Sequence, residues 1–361
     1  MPGFPKLALI DRSAFPSQIR MPDISGYTGE VFALKVNPHW HEAEASSYAW
    51  FDSYGVHSGA KRQEFFDTGF GLMASMAYPD ADLEHLRPSM DFILWLFAEQ
   101  FDDMTDEGGL RDSVERVKQA VDVTMSVLRN PEGPQPKFKI AATLQSFFNR
   151  MRANATPATI QRFVDSSDLY TQAILQQTVN RSADEVPTVE EFIQLRRDTS
   201  AVKMVFAVLE YSLGLDLPDE VHDDPIVAEL ALAGNDILTW ANDVYSFPIE
   251  QARGDTQNLV FITMWDKKLD LEGAMDYVDQ LTRKRVQEYV EAKAKLRSFG
   301  PELDEKVALY IQGIEYWVQG AIDWTFMTTR YFGEDAEKVR ETGIVDIMAP
   351  IAPAAPLYVE A

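Results

Sequence analysis

Apolar residues recur every three to four positions along most of the chain, the spacing of one face of an α-helix. Over 110–129 the stripe is Leu110, Val114, Val117, Val121, Met125 and Leu128; over 270–297 it is Ala274, Val278, Leu281, Val286, Tyr289 and Val290. Thr156-Pro157, Pro187-Thr188 and Asp224-Pro225 mark helix starts, and Gly108-Gly109 marks a stop. Segments 89–103, 201–213 and 225–250 are apolar nearly all round, as helices buried inside a large bundle are. The pattern predicts an all-α protein, a single large helical bundle of about ten to twelve helices with no alternating strand. Prolines cluster in 2–38 and 350–356, so about 1–40 and 335–361 read as irregular arms on one domain spanning 1–361. There is no internal repeat, low-complexity tract or linker.

Charge narrows the partners. Acidic residues outnumber basic ones 57 to 33, for a net charge of -24. Such a chain repels nucleic-acid phosphates and anionic membrane surfaces, which argues against nucleic acid as a partner. Its longest apolar runs, such as Phe92–Ala98 and Met204–Leu209, fall far short of the roughly 18 residues of a membrane span, so no membrane insertion is expected. An anionic substrate would require local cations. The absence of cysteine excludes disulfides, thiolate metal sites and cysteine nucleophiles. The opening MPGFPKLALIDRSAFP lacks the apolar core of a secretory signal, so a cytoplasmic location is expected.

Two clusters of oxygen donors stand on the apolar segments. Asp102-Asp103-Met104-Thr105-Asp106 closes the first of them, with Asp102 and Asp106 on one helical face. Close carboxylates repel unless a cation lies between them, and hard oxygen ligands suit Mg²⁺. The pattern is expected by chance roughly once or twice in so acidic a chain. It recurs at Asp219-Glu220-Val221-His222-Asp223, in a polar stretch that reads as solvated. An acidic helix end and a metal site therefore both fit the first cluster. The second is Asn242, Ser246 and Glu250, spaced i, i+4, i+8 and drifting about 40° per step around one helix. All three offer oxygen, again suited to Mg²⁺ rather than zinc. Its chance expectation is roughly 0.03.

The pair, DDMTD followed by NDVYSFPIE, resembles the metal motifs of class I terpene synthases. MAYPDADLEHLRP (76–88) and EQARGD (250–255) resemble the corresponding text of fungal sesquiterpene synthases, and Arg330-Tyr331 resembles the family's arginine–tyrosine motif. The family's diphosphate-sensing arginine lies 46 residues before the motif asparagine, and Arg196 occupies that position. Ser200 stands four residues later, where glycine is frequent, and joins the substrate-binding set. Ile249 stands where the family often has a lysine that donates to diphosphate, which places more weight on Arg196 and Arg330.

The resemblance implies a class I terpenoid synthase fold, with an active-site cavity between helices, and an enzyme that ionises and cyclises farnesyl diphosphate to a sesquiterpene hydrocarbon or alcohol. Its implied cofactor is Mg²⁺, three ions, with Asp102, Asp106, Asn242, Ser246 and Glu250 as ligands. Asp102, Arg196, Arg330 and Tyr331 form the catalytic set. Trp317, Trp324 and Tyr331 are spaced by sevens, and on a continuous helix they share a face suited to holding a carbocation. Trp95, seven residues before Asp102, joins the substrate-binding residues, although core packing fits it equally well. Arg197 reads as a structural ion-pair partner. Glu99 and Gln100, polar where relatives often have aromatics, would favour quenching by water. A homodimer is compatible with the sequence, which does not fix oligomeric state. The alternatives are a prenyl transferase, or a synthase for a shorter or longer diphosphate. A transferase would need a second DDxxD motif in place of the Asn-Ser-Glu set. A Mg²⁺ hydrolase would leave the aromatic residues without a purpose, and a non-catalytic scaffold would leave four ordered motifs unexplained.

Overall fold

The computed structural model describes residues 15–102, 113–182 and 186–349. Asp106, the rest of the first acidic cluster after Asp102, and the Gly108-Gly109 stop lie outside the described residues. Seventeen helices occur among the described residues: α1 Ile24–Gly29, α2 Trp40–Ser53, α3 Gly59–Asp67, α4 Phe70–Ala77, α5 Leu83–Asp102, α6 Val114–Arg129, α7 Lys139–Arg152, α8 Pro157–Ser182, α9 Val189–Thr199, α10 Val202–Ser212, α11 Asp219–His222, α12 Pro225–Arg253, α13 Leu259–Lys267, α14 Leu271–Lys293, α15 Pro301–Trp324, α16 Thr329–Phe332 and α17 Ala336–Thr342. The surplus over the sequence expectation comes from one-turn helices such as α11 and α16, too short to show a period.

Starts fall where their chemistry places them. Pro157 and Pro225 open α8 and α12, since a first-turn residue needs no helical N–H partner. Asp224 caps α12 by accepting from the amides of Ile226 and Val227, and Thr188 forms a reciprocal capping box with Glu191 on α9. Gly254 ends α12 at φ 77°, a left-handed turn that glycine adopts without strain.

The apolar helices are central. Phe92, Ile93, Leu94, Val208, Leu209, Ile237 and Val244 are all buried in one continuous core. On α14 the predicted stripe is buried at Ala274, Val278, Val286 and Tyr289, whereas Val290 is exposed. α12 packs against α14 and α15, and α15 against α4. Gly320 lets α15 approach α4 so closely that a β-carbon there would lie 3.1 Å from the Met76 backbone.

The arms are more ordered than the proline pattern predicts. Gln18–Arg20 (β1) pairs antiparallel with Ile344–Asp346 (β2), Ile19 opposite Val345, which ties the two ends of the domain together. Three-residue strands carry no detectable alternation, which is why the sequence showed none. No helix among the described residues is long and apolar enough to cross a membrane.

Candidate functional site

A cavity opens between α4, α5, α8, α9, α10, α12, α15 and α16, with about 1320 Å³ of space between its walls when its open mouth is included. Part of its lining is apolar: Met73, Leu96, Phe97, Ile174, Val202, Val205 and Ile322, with Trp317 and Trp324. The same lining carries Arg196, Asn242, Ser246, Glu250, Arg330 and Tyr331. Residues separated by up to 258 positions, Met73 and Tyr331, thus meet in one cleft.

α12 presents the Asn242, Ser246 and Glu250 face. Glu250 is half-buried, and enclosure pushes its carboxyl up to about 7, reinforced by the negative charges of Asp255 and Asp243. Asn258, the cap of α13, partly offsets this by donating from Nδ2 to Glu250 Oε2 at 2.9 Å. Ser246 is buried and its Oγ has no partner in normal hydrogen-bond geometry, although it lies near enough to ease the Glu250 charge. A buried hydroxyl without a partner and a crowded carboxylate are two groups that a hard divalent cation would satisfy together. The amide, hydroxyl and carboxylate set therefore fits such an ion. Among the described residues no three histidine, aspartate or glutamate side chains converge on a metal position. Asp102 is the last residue of α5, and its side chain lies outside the described residues.

Arg196 reaches α12 from α9. Its Nη2 donates to Asp243 Oδ1 at 2.7 Å and to Asn242 Oδ1 at 3.2 Å, and its Nε donates to Asp243 Oδ1 at 3.1 Å. Asp243 is buried, and its Oδ2 also accepts from the Leu259 amide at 2.9 Å. Burial raises its carboxyl above the ordinary range, and Arg196 pulls the other way. Asn242 Nδ2 donates to the Tyr331 hydroxyl at 2.9 Å. Tyr331 is itself raised, mainly by burial. Asp243 and Asn258 were missed in the sequence; the first directly follows Asn242, but only the fold aims it at Arg196. Phe97, Gln177 and Gln257 also line the cavity with no motif to announce them, as does Arg253, which lies within EQARGD but was given no role.

The tryptophans divide. α15 ends at Trp324, and a turn through Thr325–Met327 separates it from α16, so Trp317, Trp324 and Tyr331 do not share one continuous helix as the spacing predicted. They still converge on the cavity. Trp324 donates from Nε1 to the Gly69 carbonyl at 3.1 Å and meets Tyr331 edge-on at 6.1 Å. Thr328 caps α16 and donates to the Thr68 carbonyl at 2.8 Å, which anchors the segment carrying Arg330. The Arg330 guanidinium lies 5.5 Å from the Phe97 ring centroid. Trp95 does not line the cavity: it packs against Phe92 and Phe147 in the core. At its own position on α5 the Trp95 ring turns to Phe147 of α7. Glu99 is buried and likewise absent from the cavity wall, while the Gln100 side chain lies outside the described residues.

Ser200 sits where α9 gives way to α10. Its neighbour Ala201 has φ 62° and ψ 2°, a left-handed conformation costing an L-residue about 1–2 kcal/mol. Arg197 turns away from the cleft and pairs with buried Asp236 through Nε and Nη2, both at 2.8 Å, the structural role its position suggested.

Residues 91–288 match the family described as terpene synthase family 2, C-terminal metal binding. Sesquiterpene synthase Agr1 of Cyclocybe aegerita is 35% identical, covering 92% of this chain and 93% of its own. Sesquiterpene synthase 3 of Postia placenta is 39% identical (86% and 83% covered), and alpha-muurolene synthase of Coprinopsis cinerea is 32% identical (94% and 80% covered). In fold the chain is similar to cucumene synthase, with a TM-score of 0.69 at 20% identity, covering 82% of this chain and 99% of that one. It is also similar to hedycaryol synthase in complex with nerolidol, with a TM-score of 0.70 at 18% identity over 81% and 96%. On the family match and these relatives, the chain belongs to the terpene synthase family and is a class I terpene cyclase acting on a prenyl diphosphate with a divalent metal.

Proposed function

We propose that this enzyme ionises and cyclises farnesyl diphosphate, with three Mg²⁺ ions, to a sesquiterpene hydrocarbon or alcohol and free diphosphate. The observation that carries the reading is the mixed lining of one cavity: oxygen donors and arginines together with aromatic and aliphatic side chains. That combination matches a substrate with an anionic head and a hydrocarbon tail. The two relatives named as sesquiterpene synthases add the C15 chain as the expected substrate.

Asn242, Ser246 and Glu250 would hold metal from α12, and Asp102 and Asp106 from the end of α5. Bound divalent ions supply neutralisation of the charge that develops on the leaving diphosphate. Arg330 and Tyr331 donate to diphosphate oxygens, and preorganised donors of this kind stabilise the departing anion. Arg196 begins paired with Asp243 and Asn242, and exchanges part of that pairing for the diphosphate when it enters. Trp317 and Trp324 exclude water and offer π-faces to the cation, each contact worth about 1–2 kcal/mol in a dry pocket. The acidic chain thereby binds a trianion at a local cluster of cations. Incubation with Mg²⁺ and farnesyl diphosphate, read by gas chromatography, tests the reading. A cyclic C15 product supports it; a longer diphosphate, farnesol alone or unreacted substrate overturns it.

Trp317 separates pocket wall from core packing. It packs edge-on against Tyr78 at 5.5 Å and also lines the cavity. Trp317→Leu removes a π-face without touching the diphosphate donors, so linear or early-quenched products should rise while diphosphate release falls much less. Product distribution and melting temperature, measured on one preparation, check this. A pure packing residue would lose several kcal/mol of stability with an unchanged product ratio.

A further inference from the structure

The α9–α10 break is held open by one residue of α12 that lies outside every motif. Breaking the helix at Ser200 and Ala201 leaves the Arg197 carbonyl without the amide that a continuous helix would bring to it four residues on. Asn235 replaces that donor: its Nδ2 donates to Arg197 O at 2.8 Å. Its Oδ1 accepts from Ser200 Oγ at 3.0 Å, a hydroxyl that also reaches Arg197 O at 3.2 Å and accepts from the Val202 amide at 3.2 Å. Asn235 is 2% exposed, so both halves of its amide are committed to the break, away from water. It lies seven residues, two turns, before Asn242 on the same face of α12. Further along α12, Asp236 holds Arg197 and Asp243 holds Arg196. The wall these contacts fix runs through Arg196, Thr199, Ser200 and Val202, all of which line the cavity.

We propose that Asn235 is a positioning residue for the cyclisation, fixing the α9–α10 break in register with the metal-donor face of α12. The inference rests on the cavity being the site of prenyl diphosphate turnover. A break free to close by one hydrogen bond would pull Ser200 and Val202 out of the wall and change the shape in which the cation folds. Buried amides with both ends satisfied specify one arrangement, because each alternative strands a polar group.

The test uses Asn235→Leu, of similar size and without hydrogen bonds, beside Ser200→Ala and the double variant, with farnesyl diphosphate and Mg²⁺. Helical circular dichroism, melting temperature, kcat, KM and product ratio are measured on each. The expected result is a folded Asn235→Leu enzyme whose main product falls at least threefold in share and whose kcat falls about tenfold with KM changed less than threefold. Ser200→Ala should shift products in the same direction. The double variant should shift them no further than Asn235→Leu alone, because coupled neighbours are non-additive. A wild-type product ratio in folded Asn235→Leu, with only a lower melting temperature, overturns the proposal, as does full additivity in the double variant. If Asn235→Leu fails to fold, Ser200→Ala decides: unchanged products overturn the proposal and shifted products support it. A wild-type enzyme active on a shorter or longer prenyl diphosphate but not on farnesyl diphosphate overturns the chain-length reading alone, and the same ratios are read with that substrate. No turnover of any prenyl diphosphate overturns both.

Discussion

Glu250→Ala should abolish turnover, and so should Asp102→Ala, with the helical fold intact in each. Glu250 is the one carboxylate of the α12 donor set, and neutral Asn242 and Ser246 alone leave a divalent ion without its main charge partner. The fold should not suffer. In the metal-free protein Glu250 is crowded by Asp243 and Asp255, so removing it relieves repulsion at the expense of one hydrogen bond from Asn258. Asn258 keeps its second bond, Nδ2 to the Asp243 carbonyl at 2.6 Å. Melting temperature should therefore hold or rise while product formation falls to background. EDTA should silence the wild type in the same assay. Turnover comparable to wild type at moderate Mg²⁺, in either variant, would remove these residues from the metal site.

Arg330→Lys should lower the rate by about two to three orders of magnitude, equivalent to ~2.7–4 kcal/mol of lost transition-state stabilisation. Charge is conserved in this change, so the effect isolates geometry. Guanidinium offers a planar fork of donors to phosphate oxygens, and an ammonium presents a point charge on a flexible stem. The surroundings sharpen the difference: Arg330 lies against the Phe97 ring, where a flat, weakly hydrated cation packs better than a compact hydrated one. Ile249, where a lysine is frequent in the family, supplies no second donor at that position of α12. Single-turnover diphosphate release checks it. A Lys variant within threefold of wild type would mean that Arg330 does not touch the leaving group.

Much of the architecture is written in the one-dimensional pattern, because helices bury themselves by a repeat that survives any tertiary context. The all-round apolar segments at 89–103, 201–213 and 225–250 became α5, α10 and α12, and the Thr-Pro and Asp-Pro signals fell at real helix starts. The three α12 donors were legible for the same reason: i, i+4, i+8 on one helix fixes a common face before anything else is known. Arg196 and Arg330 could be picked out by likeness to the family's motifs, since a fixed distance from the motif asparagine marks a position in the fold.

What the pattern could not carry is direction relative to other elements. Trp95 and Trp324 are both buried tryptophans near motifs, yet one turns to Phe147 and the other to the cavity, a choice made by how α5 and α15 rotate against their neighbours. The break after Ser200 depends on Ala201 adopting a left-handed turn that alanine disfavours, tolerated because Asn235, Asp236 and Asp243 hold α9 against α12. No local propensity predicts that. Nor could it pair β1 with β2, whose three-residue strands lie more than 320 positions apart and exist only because the folded domain brings its ends together. By itself, then, the sequence determined the helices, their buried faces and the chemistry of the α12 donor set, all set within a few turns of chain. Which side chains face one another across the cleft was decided by packing between helices, where the relevant forces act over contacts distant in sequence.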